Sequence, residues 1–497
     1  MGRAEVLTCL LSSTSTGVPH RRHQDVTTTR SARRSPTTTT TTTTTTRAAR
    51  NKDTDDDEKT SKFDRCDRSV LFFGSFWPDA RATGAGVRTT SLLSSGFLGE
   101  FGYNAATFAS PQRENESSRR LRDDLGVRTM RCPINRREEL GRVVDEVAPS
   151  VAVFDRFPSE EMFSWVVRER APDAVRVLDM QDSHALRLWR QAECERGRGG
   201  HGLPLPTPPA TFPPLQREIA ACHRSDLVLV CSPSELELLR DAWGVPESKL
   251  CLAPFFYEEP DRSAWKEWDE REHDFVFVGT ALHAPNVDAV TWLAREAWPL
   301  IREGLEGAQC RVYGAHFDNS GAGSRVRALH DPKSGFLVEG FAEDLGAALG
   351  GARVLLAPLR YGAGIKTKIL DAWTYGTPVC TTPVGAEGLV CGLGEGGAFG
   401  GLWRSSDAAG FARDALALAG DRGAWERARE DGAAVLVEGF TAEANLRRVG
   451  MALEEKVAGL GACREQDYAG AAYWHSTLRC QEYFSRWVEL KETTGGQ

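Results

Sequence analysis

The chain has 497 residues, 41% hydrophobic and 26% charged, the balance of a soluble globular protein long enough for two or three domains. The net charge of −8 is unevenly placed: residues 1–50 hold eight Arg and two acidic residues, a local +6, so the remainder carries −14. A net acidic body argues against non-specific binding to nucleic acid or anionic membrane.

Residues 1–64 are a low-complexity extension, with "TTTRSARRSP", ten consecutive Thr from Thr37 to Thr46, and "RAARNKDTDDDEK". Nothing in it can bury a core, so disorder is expected. Its Arg- and Ser/Thr-rich, acid-poor start fits an organelle transit peptide as well as an extension without an address. The expected location is therefore cytoplasmic, or an organelle stroma or matrix. The twelve Cys show no C-x-x-C and no His partner at zinc-ligand spacing, and read as small buried hydrophobes in a reducing compartment. No run of about 18 uncharged apolar residues is present, so no membrane span is expected.

From residue 65 the pattern changes to strands alternating with helices. "SVLFFGSF" reads as a buried strand, followed by the glycine turn and helix of "GAGVRTTSLL". "AATFAS", "VRTMRC", "SVAVFDRF", "AVRVLDMQD" and "DLVLVC" continue as strands, each followed by an amphipathic stretch, and "KLCLAP" closes this half at 258. Such alternation means a parallel sheet covered on both faces. Cys194 to Pro214 interrupts the rhythm with Gly and Pro and reads as a loop or lid. Ser232-Pro233 reads as an N-cap with a first-turn proline. The charged segment 259–273 reads as a linker. A second α/β run fills 274–457, with strands at "FVFVGT", "QCRVYGAH", "FLVEGF" and "ARVLLAP", and helices at its end. Residues 458–497 form a tail whose role the sequence does not reveal. Two α/β domains of similar size are expected to hold a ligand in the cleft between them, at the carboxyl ends of their strands.

The most informative stretch is "ARVLLAPLRYGAGIKTKILDAWTYGTPVCTT", Ala352 to Thr382. A strand runs into a turn at Gly362 and Gly364, then into a helix entered through Lys366 and Lys368. A glycine turn entering a helix aims unpaired N–H groups at one point, where the helix dipole favours an anion. Lysines there oppose the dipole unless an anion compensates, which argues for phosphate. The Walker A pattern fails because Lys366 follows Ile365, and the dinucleotide pattern fails because Thr367 stands where Gly or Ala is needed. On spacing alone, phosphate binding and a plain structural turn both remain open.

"FVGTALHAPNVDAVTWL", "VYGAH" and the stretch from "VEGF" through "GAGIKTKILDAWTYGTPVCTTPVGAEGL" together resemble the C-terminal domain of family 4 glycosyltransferases (glycosyl transferases group 1). "VLDMQDSHALRLWRQ", "RSDLVLVCSPSELELL" and "FFGSFWPDARATGAGVRTTSLL" resemble that family's N-terminal domain, so the likeness runs from Val70 to Leu453. It implies the GT-B fold: two Rossmann-like domains, parallel sheets flanked by helices, with an acceptor domain first and a sugar-nucleotide donor domain second. It implies transfer of a sugar from a nucleotide-sugar donor to an unidentified glycan, lipid or small-molecule acceptor, retaining and metal-independent, with no cofactor beyond the co-substrate. Gly362, Gly364, Lys366 and Lys368 would face the diphosphate, and Asp371 stands where the family has a Glu for the ribose hydroxyls. Ala363 stands where many members have a second Glu. Gly84 and Gly86 match a glycine loop that approaches donor or acceptor. Thr280 and Asn286 would line the donor pocket, although Asn286 could simply cap its helix. Asp182 and His184, with Arg187 nearby, match the pattern placed at the reacting sugar. No Asp-x-Asp occurs in the folded part, so no metal ligands are assigned. The alternative, suggested by Ala363 and Asp371, is a non-catalytic nucleotide- or glycan-binding member. A dinucleotide oxidoreductase is disfavoured, since neither half has a full Gly-x-Gly-x-x-Gly.

Overall fold

In the computed structural model, residues 68–198, 205–317, 321–390, 398–475 and 479–494 are described. The N-terminal extension 1–64 and the glycines around residue 200 lie outside them. The first sheet has seven strands, β1 (Arg68–Phe73), β2 (Tyr103–Ser110), β3 (Arg128–Arg131), β4 (Val151–Asp155), β5 (Val175–Asp179), β6 (Leu227–Val230) and β7 (Leu250–Leu252), in the order β3-β2-β1-β4-β5-β6-β7. The second has six, β8 (His273–Val278), β9 (Cys310–Tyr313), β10 (Phe336–Gly340), β11 (Ala352–Ala357), β12 (Val379–Thr381) and β13 (Gly401–Leu402), in the order β10-β9-β8-β11-β12-β13. Neighbouring strands within each sheet are parallel. Both sheets are doubly wound, and their order reverses between β1 and β4 and between β8 and β11. Crevices for ligands open at such switch points. The two-residue strand β13 was not foreseen from the sequence, because its Gly-Leu has no strand signature of its own.

The strands are apolar on both faces because helices cover both. Val70 and Phe72 enter one core of the first domain, and Leu71 and Phe73 enter the other. In the second domain Phe275 and Phe277 face one core while Val276 faces the other. The period-two alternation thus divides each strand between two layers rather than between core and water. Cys132, Cys222, Cys231, Cys251, Cys310 and Cys380 are buried thiols outside any disulfide. Burial pushes the Cys132 thiol up to about 12.

The charged stretch 259–273 is packed onto the second domain. Trp265 donates its indole N–H to Thr374 O (2.9 Å), and the Arg271 guanidinium donates to Ala352 O, Gly376 O and Thr377 Oγ1. The chain crosses between domains twice at one place. Tyr257 and Thr441 form a parallel bridge, with Tyr257 N donating to Phe440 O and Ala442 N to Tyr257 O, both at 2.8 Å. After the second crossing the helix Ala442–Glu465 returns to the first domain, where Val449 and Leu453 join its core. The helix therefore runs past 457, the end of the second domain as read from the sequence. The helix Arg479–Thr494 also lies on the first domain, through Ser485 to Asn135 and Arg136 to Glu492.

The returning helix seats closely at Gly450, where a Cβ would lie 2.1 Å from the Phe101 ring, whereas one at Gly461 would meet nothing within 4 Å. Gly450→Ala is expected to destabilise by about 1–3 kcal/mol through overpacking. Gly461→Ala is expected to stabilise by roughly 0.5–1 kcal/mol through helix propensity. Urea midpoints of the two variants should move in opposite directions.

Candidate active site

On the first domain, the site begins where β5 ends. Gln181 has φ of 60°, a left-handed conformation that costs a residue with a Cβ, and its amide is tied to Asp155 (2.7 Å). The next residue, Asp182, is bonded to Arg187 Nε (2.7 Å) and lies 3.5 Å from His184 Nε2. Ser183 caps the helix His184–Glu195, accepting from Leu186 N. The buried Glu218 braces the same turn, accepting from Ser183 Oγ and from the N–H groups of His184 and Ala185. Burial would raise the Asp182 carboxyl, but Arg187 and His184 outweigh it and hold it well below the usual carboxylate range. Burial, against the pull of Asp182, lowers His184 to about 3, so its ring is neutral at physiological pH. His184 Nε2 is buried without a hydrogen-bond partner among the described residues, while the ring packs edge-on to Phe157.

On the second domain, β11 leads through 358–366 into the helix Thr367–Thr374. Lys366 stands at the N-cap and turns its Nζ back to Gly364 O (2.7 Å), 4.0 Å from the Glu387 carboxylate. Lys368, 9% exposed, donates to Asn286 Oδ1 (2.7 Å) with its Nζ 4.6 Å from the Phe277 ring centre. Asn286 in turn donates to Thr280 O (3.2 Å). Burial drives the Lys368 ammonium down to about 7, with Asp371 pulling the other way. One turn along, Asp371 accepts from the Tyr257 hydroxyl (2.6 Å), and burial raises it to about 6.

The carboxyl edges of the two sheets face each other. A Cβ on Gly84 would lie 2.6 Å from the Thr367 side chain, so the N-termini of the helices Gly84–Leu92 and Thr367–Thr374 meet across the cleft. Gly364 has φ of 64°, and a Cβ there would lie 2.9 Å from Asp182 Cβ, which makes glycine necessary twice over. Glu235 reaches over from the helix after β6 and accepts from Gly364 N (2.6 Å) and Ser183 N (3.2 Å). Arg190 pairs bidentately with Glu387 (2.5 and 2.8 Å) and donates to Gly362 O (2.9 Å). It also donates to Pro206 O (3.2 Å), while Leu205 packs on the second domain's core. The described end of the Pro-rich loop therefore bridges the two domains.

The structure thus gathers Asp182, His184, Gly362, Gly364 and Lys366 at one corner and Thr280, Asn286, Lys368 and Asp371 at another, with Gly84 at the meeting of the helix ends. Gly86 packs away from the cleft: a Cβ there would lie 2.2 Å from the Asp79 carbonyl. Sequence reading passed over Glu235, Arg190, Glu387 and His283. His283 feels the charges of Arg187 and Asp182 from across the cleft, and burial lowers it to about 4. Only Glu235 carried a local signal, a Ser-x-x-Glu capping box beginning at Ser232. The proline and the capping position are as expected, yet Ser232 makes no side-chain cap bond.

The fold has counterparts among solved structures. A glycosyltransferase from Rickettsia africae superposes with a TM-score of 0.56 at 10% identity, over 78% of this chain and 98% of that one. Sucrose-phosphate synthase from Thermosynechococcus elongatus gives 0.57 at 16% identity, over 79% and 100%. HepE of Anabaena, in complex with UDP and glucose, gives 0.58 at 11% identity, over 78% and 100%. The fold is GT-B. Within it, residues 272–421 match the family model described as glycosyl transferases group 1. No curated protein matches the chain in sequence.

The Arg190–Glu387 pair ties the two GT-B domains together in a largely buried setting. Removing one partner strands the other, so Arg190→Met is expected to cost about 3–5 kcal/mol. Arg190→Met with Glu387→Met should recover most of that loss. Thermal unfolding of both singles and the double variant measures the coupling.

Proposed function

We propose that the protein transfers a sugar from a nucleotide-sugar donor to a glycan, lipid or small-molecule acceptor, as a family 4 member acting with retention and without a metal ion. The carrying observation is Lys368, a buried ammonium that donates to a neutral amide oxygen and has no carboxylate within ion-pair distance among the described residues. Charge in such a place is costly unless an anion arrives. Two helix N-termini converge beside it, adding positive potential of the same sign. A nucleoside diphosphate supplies the missing charge. The nucleotide-sugar class also draws support from HepE, captured with UDP and glucose on the same fold.

In this reading the bond from the anomeric carbon to the diphosphate oxygen breaks, the electron pair leaves with the phosphate, and the acceptor oxygen bonds to the anomeric carbon while its proton passes to the departing phosphate. Negative charge grows on the leaving phosphate, where Lys368 and the first-turn N–H groups of Thr367–Thr374 lie ready without reorganisation. That arrangement takes the role a divalent ion would otherwise serve, and no cofactor beyond the nucleotide sugar is needed. Asp371, held by Tyr257, receives the ribose hydroxyls. Neutral His184, steadied by Asp182, meets the reacting sugar.

Incubation with UDP-, GDP- and ADP-sugars should release nucleotide from at least one donor, and Lys368→Ala should reduce that rate by about 100-fold or more. Binding of every donor without release would favour a non-catalytic binder instead. A pH dependence follows as well. With Lys368 near 7 in the free protein, an incoming diphosphate favours its charged form and draws in a proton above that pH. Affinity for the nucleoside diphosphate should therefore weaken toward pH 9, by up to about tenfold per unit, and below pH 6 as Asp371 protonates. Calorimetry in buffers of differing ionisation enthalpy should record proton uptake at pH 8, and Lys368→Met should abolish it.

A further inference from the structure

Glu235 is 2% exposed and bridges the domains. Its Oε1 accepts from Gly364 N and Ser183 N, while Oε2 is buried with no hydrogen-bond partner among the described residues. As the third residue of its helix it stands where a capping-box glutamate would bond back to the helix start. Here it reaches outward to the glycine loop instead, leaving Ser232 without that partner. A buried carboxyl oxygen left unpaired is costly, which is the mark of a group awaiting a ligand.

We propose that Glu235 contacts the transferred sugar, its Oε2 hydrogen-bonding to a ring hydroxyl of the donor. The inference rests on the nucleotide-sugar reading above. Gly364 precedes the lysine-bearing helix start by three residues, so a donor whose diphosphate sits at that start brings its pendant sugar beside Gly364. The surroundings reject an anion at this point, since Asp182 stays ionised and Glu387 is close by. Asp182 and Glu387 face Glu235 as negative charges, with Lys366 and its neighbour Arg190 as the nearby positive ones. Burial, then the Asp182 charge, raises the Glu235 carboxyl well above the usual range despite the N–H bonds from Gly364 and Ser183. A neutral carboxyl offers Oε2–H as a donor and can pair with a sugar hydroxyl, while the nearby Asp182 and Glu387 charges disfavour a phosphate in the same place. The unpartnered His184 Nε2, on the turn that Ser183 caps, would offer the same hydroxyl-rich ring a second contact.

The test is calorimetric titration at pH 7 of wild type, Glu235→Ala and Glu235→Gln with the pairs UDP and UDP-glucose, GDP and GDP-mannose, and ADP and ADP-glucose. For the pair that binds wild type, Glu235→Ala should weaken the nucleotide sugar about tenfold while changing the bare nucleotide less than about twofold. Unchanged nucleotide binding also reports that the variant is folded. Glu235→Gln keeps an acceptor for Gly364 and a donor for the sugar, and should hold nucleotide-sugar affinity within about threefold of wild type. Equal loss of nucleotide and nucleotide sugar in Glu235→Ala, or damage by Gln as large as by Ala, would overturn the proposal and leave Glu235 as an interdomain brace. No binding of any pair by wild type would overturn the nucleotide-sugar reading and this inference with it.

Discussion

Positive helix ends that face each other repel, and the architecture of this cleft follows from how that repulsion is managed. Two parallel sheets oppose their carboxyl edges, so the helices that follow their strands point their N-termini into one gap. Lys366 and Lys368 sharpen the imbalance. The protein answers part of it with its own carboxyls, Glu387 on Arg190 and Asp182 on Arg187. Among the described residues Lys368 has the amide oxygen of Asn286 and a ring face as its direct partners, with Asp371 acting on it from beyond ion-pair distance.

The covalent route between the domains is compact. Both crossings of the chain meet at Tyr257 and Thr441, paired by backbone hydrogen bonds. Arg88 locks the approach to this hinge from the first domain. Its buried guanidinium binds Asp179 at the end of β5 and the carbonyls of Ala253 and Pro254 just before the crossing. Tyr257 at the hinge holds Asp371 in the site. The crossing point and Asp371 are thus linked through one hydroxyl.

Much of this was legible before any coordinates. Strands such as "SVLFF" and "FVFV" are apolar at consecutive positions because both faces are covered, and that run is itself the signal of a parallel sheet. Gly364 and Lys368 were singled out by a strand-turn-helix pattern that local spacing describes, and Asp182 and His184 by the family resemblance; the structure brings all four to the cleft. Gly86 was placed near the ligand by the same pattern, but the pattern does not distinguish a glycine that admits a ligand from one that admits the Asp79 carbonyl. Glu235, Arg190, Glu387 and His283 were passed over because each acts on residues remote in sequence. Glu235 acts 129 residues away at Gly364, and Arg190 acts 197 residues away at Glu387.

By itself, then, the sequence determined the alternation of elements, the two-domain α/β architecture, the glycine turn and the basic helix start. These depend on hydrophobic period, turn chemistry and caps, which are properties of neighbouring residues. The tertiary structure alone decided which charges are compensated. Desolvation and Coulomb interaction depend on what lies within a few ångströms in space, and the Ser-x-x-Glu at 232–235 is the clearest case. Its spacing specifies a helix cap, whereas its surroundings send the carboxyl across the cleft and leave one oxygen without a partner among the described residues.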